Sequence, residues 1–130
     1  MSVFSATSKA KLATCDVRLQ SIMNEVVKYF DCTILCGHRD EDEQEEAVRT
    51  GKSKLHWPNS KHNAIPSLAV DVAPYPVNWK DKAQFARLAG HIERVAFQQG
   101  TKIRWGGDFN RNGLTIDETL VDMPHIELDN

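Results

Sequence analysis

Residues 69–73 read Ala-Val-Asp-Val-Ala, and this run constrains the fold more than any other stretch of the chain. Alternation of this kind marks a β-strand whose side chains point in turn to opposite faces of a sheet. Asp71 puts a charge in the middle of an otherwise apolar segment. An unpaired carboxylate is expensive to bury, so a strand that carries one must bring it a partner. The polar, proline-broken loop just upstream, Ser60-Lys61-His62-Asn63-Ala64-Ile65-Pro66, offers His62 as the first candidate.

The flanking segments supply the layers such a strand packs against. Leu12, Cys15, Leu19, Ile22, Met23, Val26, Val27 and Phe30 recur at helical spacing, which predicts one amphipathic helix from about Ser8 to Phe30. Cys-Thr-Ile-Leu-Cys at 32–36 reads as a short strand ended by Gly37. The acid-rich segment from Asp40 to Arg49, closed by Gly51, reads as a helix whose charges suit its macrodipole. Residues 52–68 are a loop, and the segment from about Lys80 to Gln99 is a helix that turns Phe85, Leu88, Ala89, Ile92, Val95 and Ala96 inward. The C-terminal region from Thr101 to Leu128 reads as two strands joined by a polar loop. The expected fold class is α+β: helices packed on a small, mostly antiparallel sheet in a single domain over 1–130.

Composition narrows the function. A chain of 130 residues, 41% hydrophobic and 26% charged, has enough apolar material for one core and no room for a second. A net charge of −2 without a basic stripe predicts no nucleic-acid partner and no stable attachment to an anionic membrane. The amino-terminal residues lack the apolar run of a signal peptide, and no stretch approaches the roughly 20 apolar residues of a membrane span, so the expectation is a protein that stays in the cytoplasm until released. Cys15, Cys32 and Cys36 are an odd, sparse set. They read as reduced core residues, because Cys32 and Cys36 have no second pair with which to complete a zinc site.

Asp122 and His125 lie beside Pro124 at the entry to the last strand. Together with His62 and Asp71 they supply two imidazoles and two carboxylates, and two imidazoles with one carboxylate can bind zinc and leave a position open to water, as catalytic sites do. Spacing alone leaves the bland alternative open, since a single histidine is ordinarily a satisfied core or surface group. His38, His56 and His91 keep that reading.

Four segments in order, Gly37–Gln44, Ser60–Pro74, Trp105–Phe109 and Asp122–Leu128, resemble the M15 family of zinc peptidases. That family includes D-alanyl-D-alanine carboxypeptidases and bacteriophage L-alanyl-D-glutamate endopeptidases. Its Ser-x-His matches Ser60-Lys61-His62, its Ala-x-Asp matches Ala69-Val70-Asp71, and its acid-x-x-His matches Asp122-Met123-Pro124-His125. The chain departs from the pattern between His62 and Asp71, where the family's glycine-containing gap is shorter; a loop absorbs two extra residues at small entropic cost.

The resemblance implies a peptidase fold of the hedgehog and D-Ala-D-Ala peptidase type, without a separate wall-binding domain. It implies Zn2+ held by His62, Asp71 and His125, and Asp122 as the group that takes a proton from water and returns it to the leaving amine. Arg39 would stabilise the oxyanion; its alternative is a partner for the acids that follow it. Gln44 would orient substrate or Arg39, and Ser60 would hydrogen-bond substrate or a ligand. The substrate implied is a peptidoglycan stem peptide, cut by a monomeric phage endolysin between L-Ala and D-Glu. Cleavage of D-Ala-D-Ala and a non-catalytic zinc-stabilised binding domain are the competing readings, and the presence of both Asp122 and Arg39 argues against the latter. Asp108, Asn110 and Asn112, followed by Gly113, also follow the start of a Ca2+ loop. Thr119 stands where that loop requires a bidentate Glu, so an Asx-rich turn is the competing reading.

Overall fold

The computed structural model describes residues 2–106 and 123–129. Helix α1 (Ala6–Leu12) leads into α2 (Val17–Val26), then strand β1 (Cys32–Cys36), helix α3 (Glu41–Arg49), a 3-10 turn (Lys61–Asn63), strand β2 (Ala69–Pro74), helix α4 (Lys82–Gln98), strand β3 (Ile103–Trp105) and strand β4 (His125–Leu128). The strands form one sheet in the order β1-β2-β4-β3, antiparallel at every pairing. The expected α+β architecture is the one observed.

The single amino-terminal helix expected from periodicity is two helices. Asp16 ends the first segment by capping the second, its side chain accepting from the Arg18 amide. Residues 14–16 instead pair with the loop before β2: Ser67 N donates to Thr14 O at 2.9 Å and Asp16 N to Ser67 O at 2.8 Å. The apolar period runs on across the break because Leu12, Cys15 and Leu19 are all buried in the same core. Ser8 of α1 reaches β1, where its hydroxyl accepts from the Ile34 amide at 3.1 Å. An edge-strand donor is thereby satisfied.

Strand β2 lies between β1 and β4, and all six of its residues are buried. Its alternation sorts them. Val70 and Val72 join Ile22, Leu88, Ile92 and Ile126 in the main hydrophobic core, while Ala69, Asp71 and Ala73 belong to the opposite face. Helix α4 forms as expected, capped by Asp81 and burying Phe85, Leu88, Ala89, Ile92, Val95 and Ala96. Helix α3 starts with a capping box between Asp40 and Glu43 and ends at Gly51, whose φ of 83° is the left-handed conformation glycine tolerates. Gly37 is required for a different reason: a Cβ there would lie 2.3 Å from Thr14 Oγ1 and 2.5 Å from Lys11 O. The chain leaving β1 passes this close to the end of α1, and that passage aims residues 37–39 at the Asp71 face of the sheet.

Candidate metal centre

Antiparallel register builds the site as a row across three strands. Asp71 is paired with His125 on β4 and with Cys36 on β1. Opposed residues on one face of a sheet are close neighbours, so the three side chains share a patch. The pairing of β1 shifts register between Ile34 and Cys36. Such irregularities re-aim side chains near functional sites. His62 enters from above this row on the 3-10 turn, whose first residue is capped by Ser60; the Ser60 hydroxyl accepts from the His62 amide at 3.2 Å.

The result is a convergence of acceptors. His62 Nε2 and His125 Nδ1 each lie 3.2 Å from Asp71 Oδ1, and the two imidazole rings are 5.2 Å apart between centroids. The outer nitrogen of each ring is already committed. His62 Nδ1 is 2.7 Å from the Gly37 carbonyl, and His125 Nε2 is 2.8 Å from Glu127 Oε1. Carbonyls and carboxylates only accept, so both outer nitrogens carry protons. In the neutral rings the inner nitrogens then present lone pairs to a carboxylate oxygen, an arrangement that repels unless a proton or a cation sits between them.

Electrostatics records the same conflict. Burial pushes His62 down, but hydrogen bonds to Asp71 and Cys36 outweigh it and raise the ring to about 10. His125 is likewise raised, burial being overcome by Asp71 and Glu127. Burial pushes Asp71 up, yet His125 and His62 hold it well below the ordinary carboxylate range. A metal ion would replace those protons and satisfy the three groups at once. The spacing fits zinc: two ligands about 2.05 Å from a tetrahedral ion are about 3.3 Å apart, near the observed 3.2 Å. Two imidazoles whose outer N–H groups are fixed by a carbonyl and a carboxylate also form the support that metal-ligating histidines ordinarily have.

Arg39 sits beside this cluster. Its Nη2 donates to Asp71 Oδ2 at 3.2 Å, with both side chains largely buried, so its partner is the strand carboxylate and not the acids of α3. Gln44 is fully buried. Its Oε1 accepts from Arg39 Nη1 at 3.5 Å and Asn63 Nδ2 at 3.2 Å, while its Nε2 donates to Ser53 Oγ and the Leu55 carbonyl. Gln44 therefore has no exposed atom, and of the groups named in its two expected roles it contacts Arg39. Ser60 contacts the turn that carries His62, through the His62 amide. The backbone closes the arrangement, with Arg39 N donating to His62 O at 2.9 Å.

Two residues escaped sequence reasoning. Cys36, expected in the core with Cys15 and Cys32, is only partly buried, and its sulfur, His62 and Asp71 present ligand atoms within 4.8 Å of one another. Glu127 was not singled out, yet it is buried behind His125; burial raises its carboxyl, and His125 and Lys61 bring it down to about 2. Only the register reveals either residue. Asp122 and the calcium candidates Asp108, Asn110 and Asn112 lie outside the described residues.

Among the described residues no helix is long and apolar enough to cross a membrane. The family model described as phage L-alanyl-D-glutamate peptidase matches residues 1–129. The L-alanyl-D-glutamate peptidase of Escherichia phage T5 is 31% identical over 133 residues, which cover 96% of each protein. The crystal structure of the Serratia marcescens L-Ala D-Glu endopeptidase ChiX superposes with a TM-score of 0.78 at 27% identity, covering 98% of this chain and 90% of that one. Sequence and fold agree over nearly the full length, and the chain belongs to the phage L-alanyl-D-glutamate peptidase family.

Proposed function

We propose that this peptidase is a zinc-dependent endopeptidase that hydrolyses the L-alanyl–D-glutamate bond of peptidoglycan stem peptides, and that it serves as a phage endolysin. The observation that carries the metal part is the convergence of His62 Nε2 and His125 Nδ1 on Asp71 Oδ1, each at 3.2 Å, with both outer ring nitrogens already bonded. The bond specificity is supported by the names of the phage T5 and Serratia relatives.

His62, Asp71 and His125 would hold the ion. Zinc bound there supplies Lewis acidity toward a peptide carbonyl and toward water. Arg39 holds its guanidinium beside the ligand carboxylate, fixed by Asp71 and Gln44, and in this reading it stabilises the negative charge that develops on the carbonyl oxygen. Asp122, assigned from its motif alone, takes a proton from the attacking water and returns it to the leaving amine. Asn63 and Gln44 keep the Arg39 loop in place, Asn63 Nδ2 donating to the Arg39 carbonyl at 3.1 Å.

The test is digestion of purified muropeptides followed by mass spectrometry. Fragments with a new amino-terminal D-Glu, abolished by chelator and restored by zinc, are the expected products. Release of free D-Ala instead would assign the carboxypeptidase reaction, and metal-independent cleavage would refute the zinc reading.

A further inference from the structure

The motif that identifies His125 asks nothing of the acid two residues on. In the structure Glu127 is 7% exposed, and the alternation of β4 puts it on the same face as His125. Its two oxygens are divided. Oε1 accepts from His125 Nε2 at 2.8 Å, while Oε2 receives Arg104 Nη2 at 3.1 Å and Lys61 Nζ at 3.2 Å. Arg104 is its cross-strand neighbour on β3, whereas Lys61 comes from the turn that carries His62. Lys61 Nζ also donates to the Leu128 carbonyl, a second tie from the same turn to β4.

We propose that Glu127 is a positioning residue for the metal centre: it fixes the His125 imidazole with Nδ1 toward Asp71 and, through Lys61, anchors the His62 turn to the strand that carries His125. This rests on the reading of His62, Asp71 and His125 as the ligands. Two functions follow from one side chain. The carboxylate orients the ring and makes it a stronger donor to a cation, as second-layer acids do for ligating histidines. The Lys61 arm holds the elements bearing the two histidines at one separation, which matters because a tetrahedral ion accepts only a narrow range of ligand spacing.

The experiment measures zinc affinity by competition with a chromophoric chelator, and the visible absorption of the cobalt-substituted protein. Wild type, Glu127→Gln, Arg104→Met and His125→Ala are compared after melting of the metal-free proteins shows that each folds. Glu127→Gln keeps the shape but not the charge, and it should weaken zinc about 10- to 100-fold and alter the cobalt spectrum. Arg104→Met removes the partner that comes from β3 and not from the His62 turn, leaves the His125 contact in place, and should leave both readouts close to wild type. Glu127→Asp keeps the charge but is too short to reach Nε2, and it gives the same comparison if Glu127→Gln does not fold. Wild-type affinity and an unchanged spectrum in the Glu127 variants, with His125→Ala impaired, would overturn the proposal. An Arg104→Met loss equal to that of Glu127→Gln would also overturn it, by making Glu127 a structural anchor for a cation. Undiminished affinity in His125→Ala would remove the ligand reading itself, and the proposal with it.

Discussion

Replacing Asp71 by Asn removes one charge without changing shape and separates two kinds of stability. In the metal-free protein Asp71 Oδ1 faces both imidazoles and Oδ2 receives Arg39 Nη2 at 3.2 Å. An amide keeps a single acceptor oxygen, so buried cationic groups lose their counter-charge. Breaking a buried pair in this way costs about 3–5 kcal/mol. At roughly 2.1 cal/mol/K per residue, unfolding 130 residues carries an entropy of about 0.27 kcal/mol/K, so the loss corresponds to a fall in Tm of about 11–18 °C. Zinc, if these residues are its ligands, would add a second difference: at 1,000 times its Kd it would stabilise the wild type by about 4 kcal/mol, or about 15 °C on the same scale. Scanning calorimetry of wild type and Asp71→Asn, each with chelator and with zinc, reads both quantities. The variant should melt lower in chelator and gain little from zinc. A variant with wild-type Tm in chelator and a wild-type rise with zinc would refute Asp71 both as the charge partner of this cluster and as a ligand.

His62→Ala and His125→Ala should each lose bound zinc, measured by elemental analysis after gel filtration, while His56→Ala and His91→Ala retain it. Asp122→Asn should keep zinc and Tm but lose muropeptide cleavage by about 10²- to 10⁴-fold, since an amide cannot take the proton from water. Cys36→Ser should leave zinc content and cleavage near wild type; loss of zinc would make the thiol a fourth ligand and the centre a closed, structural one. The metal-free protein should also lose stability with rising pH. His62 is raised to about 10, so its contribution is complete below its unfolded pKa of about 6.5 and is lost as pH climbs through 10; Tm in chelator should fall over that window more in wild type than in His62→Ala.

Much of the frame was legible because local patterns and tertiary demands agreed. The alternation at 69–73 gave the central strand, and the helical period at 80–99 gave α4 with each inward residue buried. The amino-terminal helix was misread for a physical reason: the buried positions of α1 and α2 continue one period, and only Asp16, a good capping residue, marked the interruption. At the site, His62, Asp71 and His125 carried motif spacing, whereas Cys36 and Glu127 did not. Cys36 looked like a core residue because it shares strand parity with Cys32 and Ile34, and the register shift that re-aims it leaves no compositional trace.

Asp71 shows why the candidate metal centre was nevertheless legible in the sequence. A central strand buried on both faces selects against charge, and β2 is such a strand. Keeping an acid there requires compensation from other elements, and the structure draws it from three: the His62 turn, the β1-to-α3 passage with Arg39, and β4 with His125. Those cationic groups then repel one another, so Lys61 and Arg104 on the far side of His125 are met by a second buried acid, Glu127. Local inconsistency in a sequence tends to mark function, because a fold retains it only where something else is gained. One aspartate out of place in an apolar strand therefore pointed to a centre whose remaining members only the sheet register could supply.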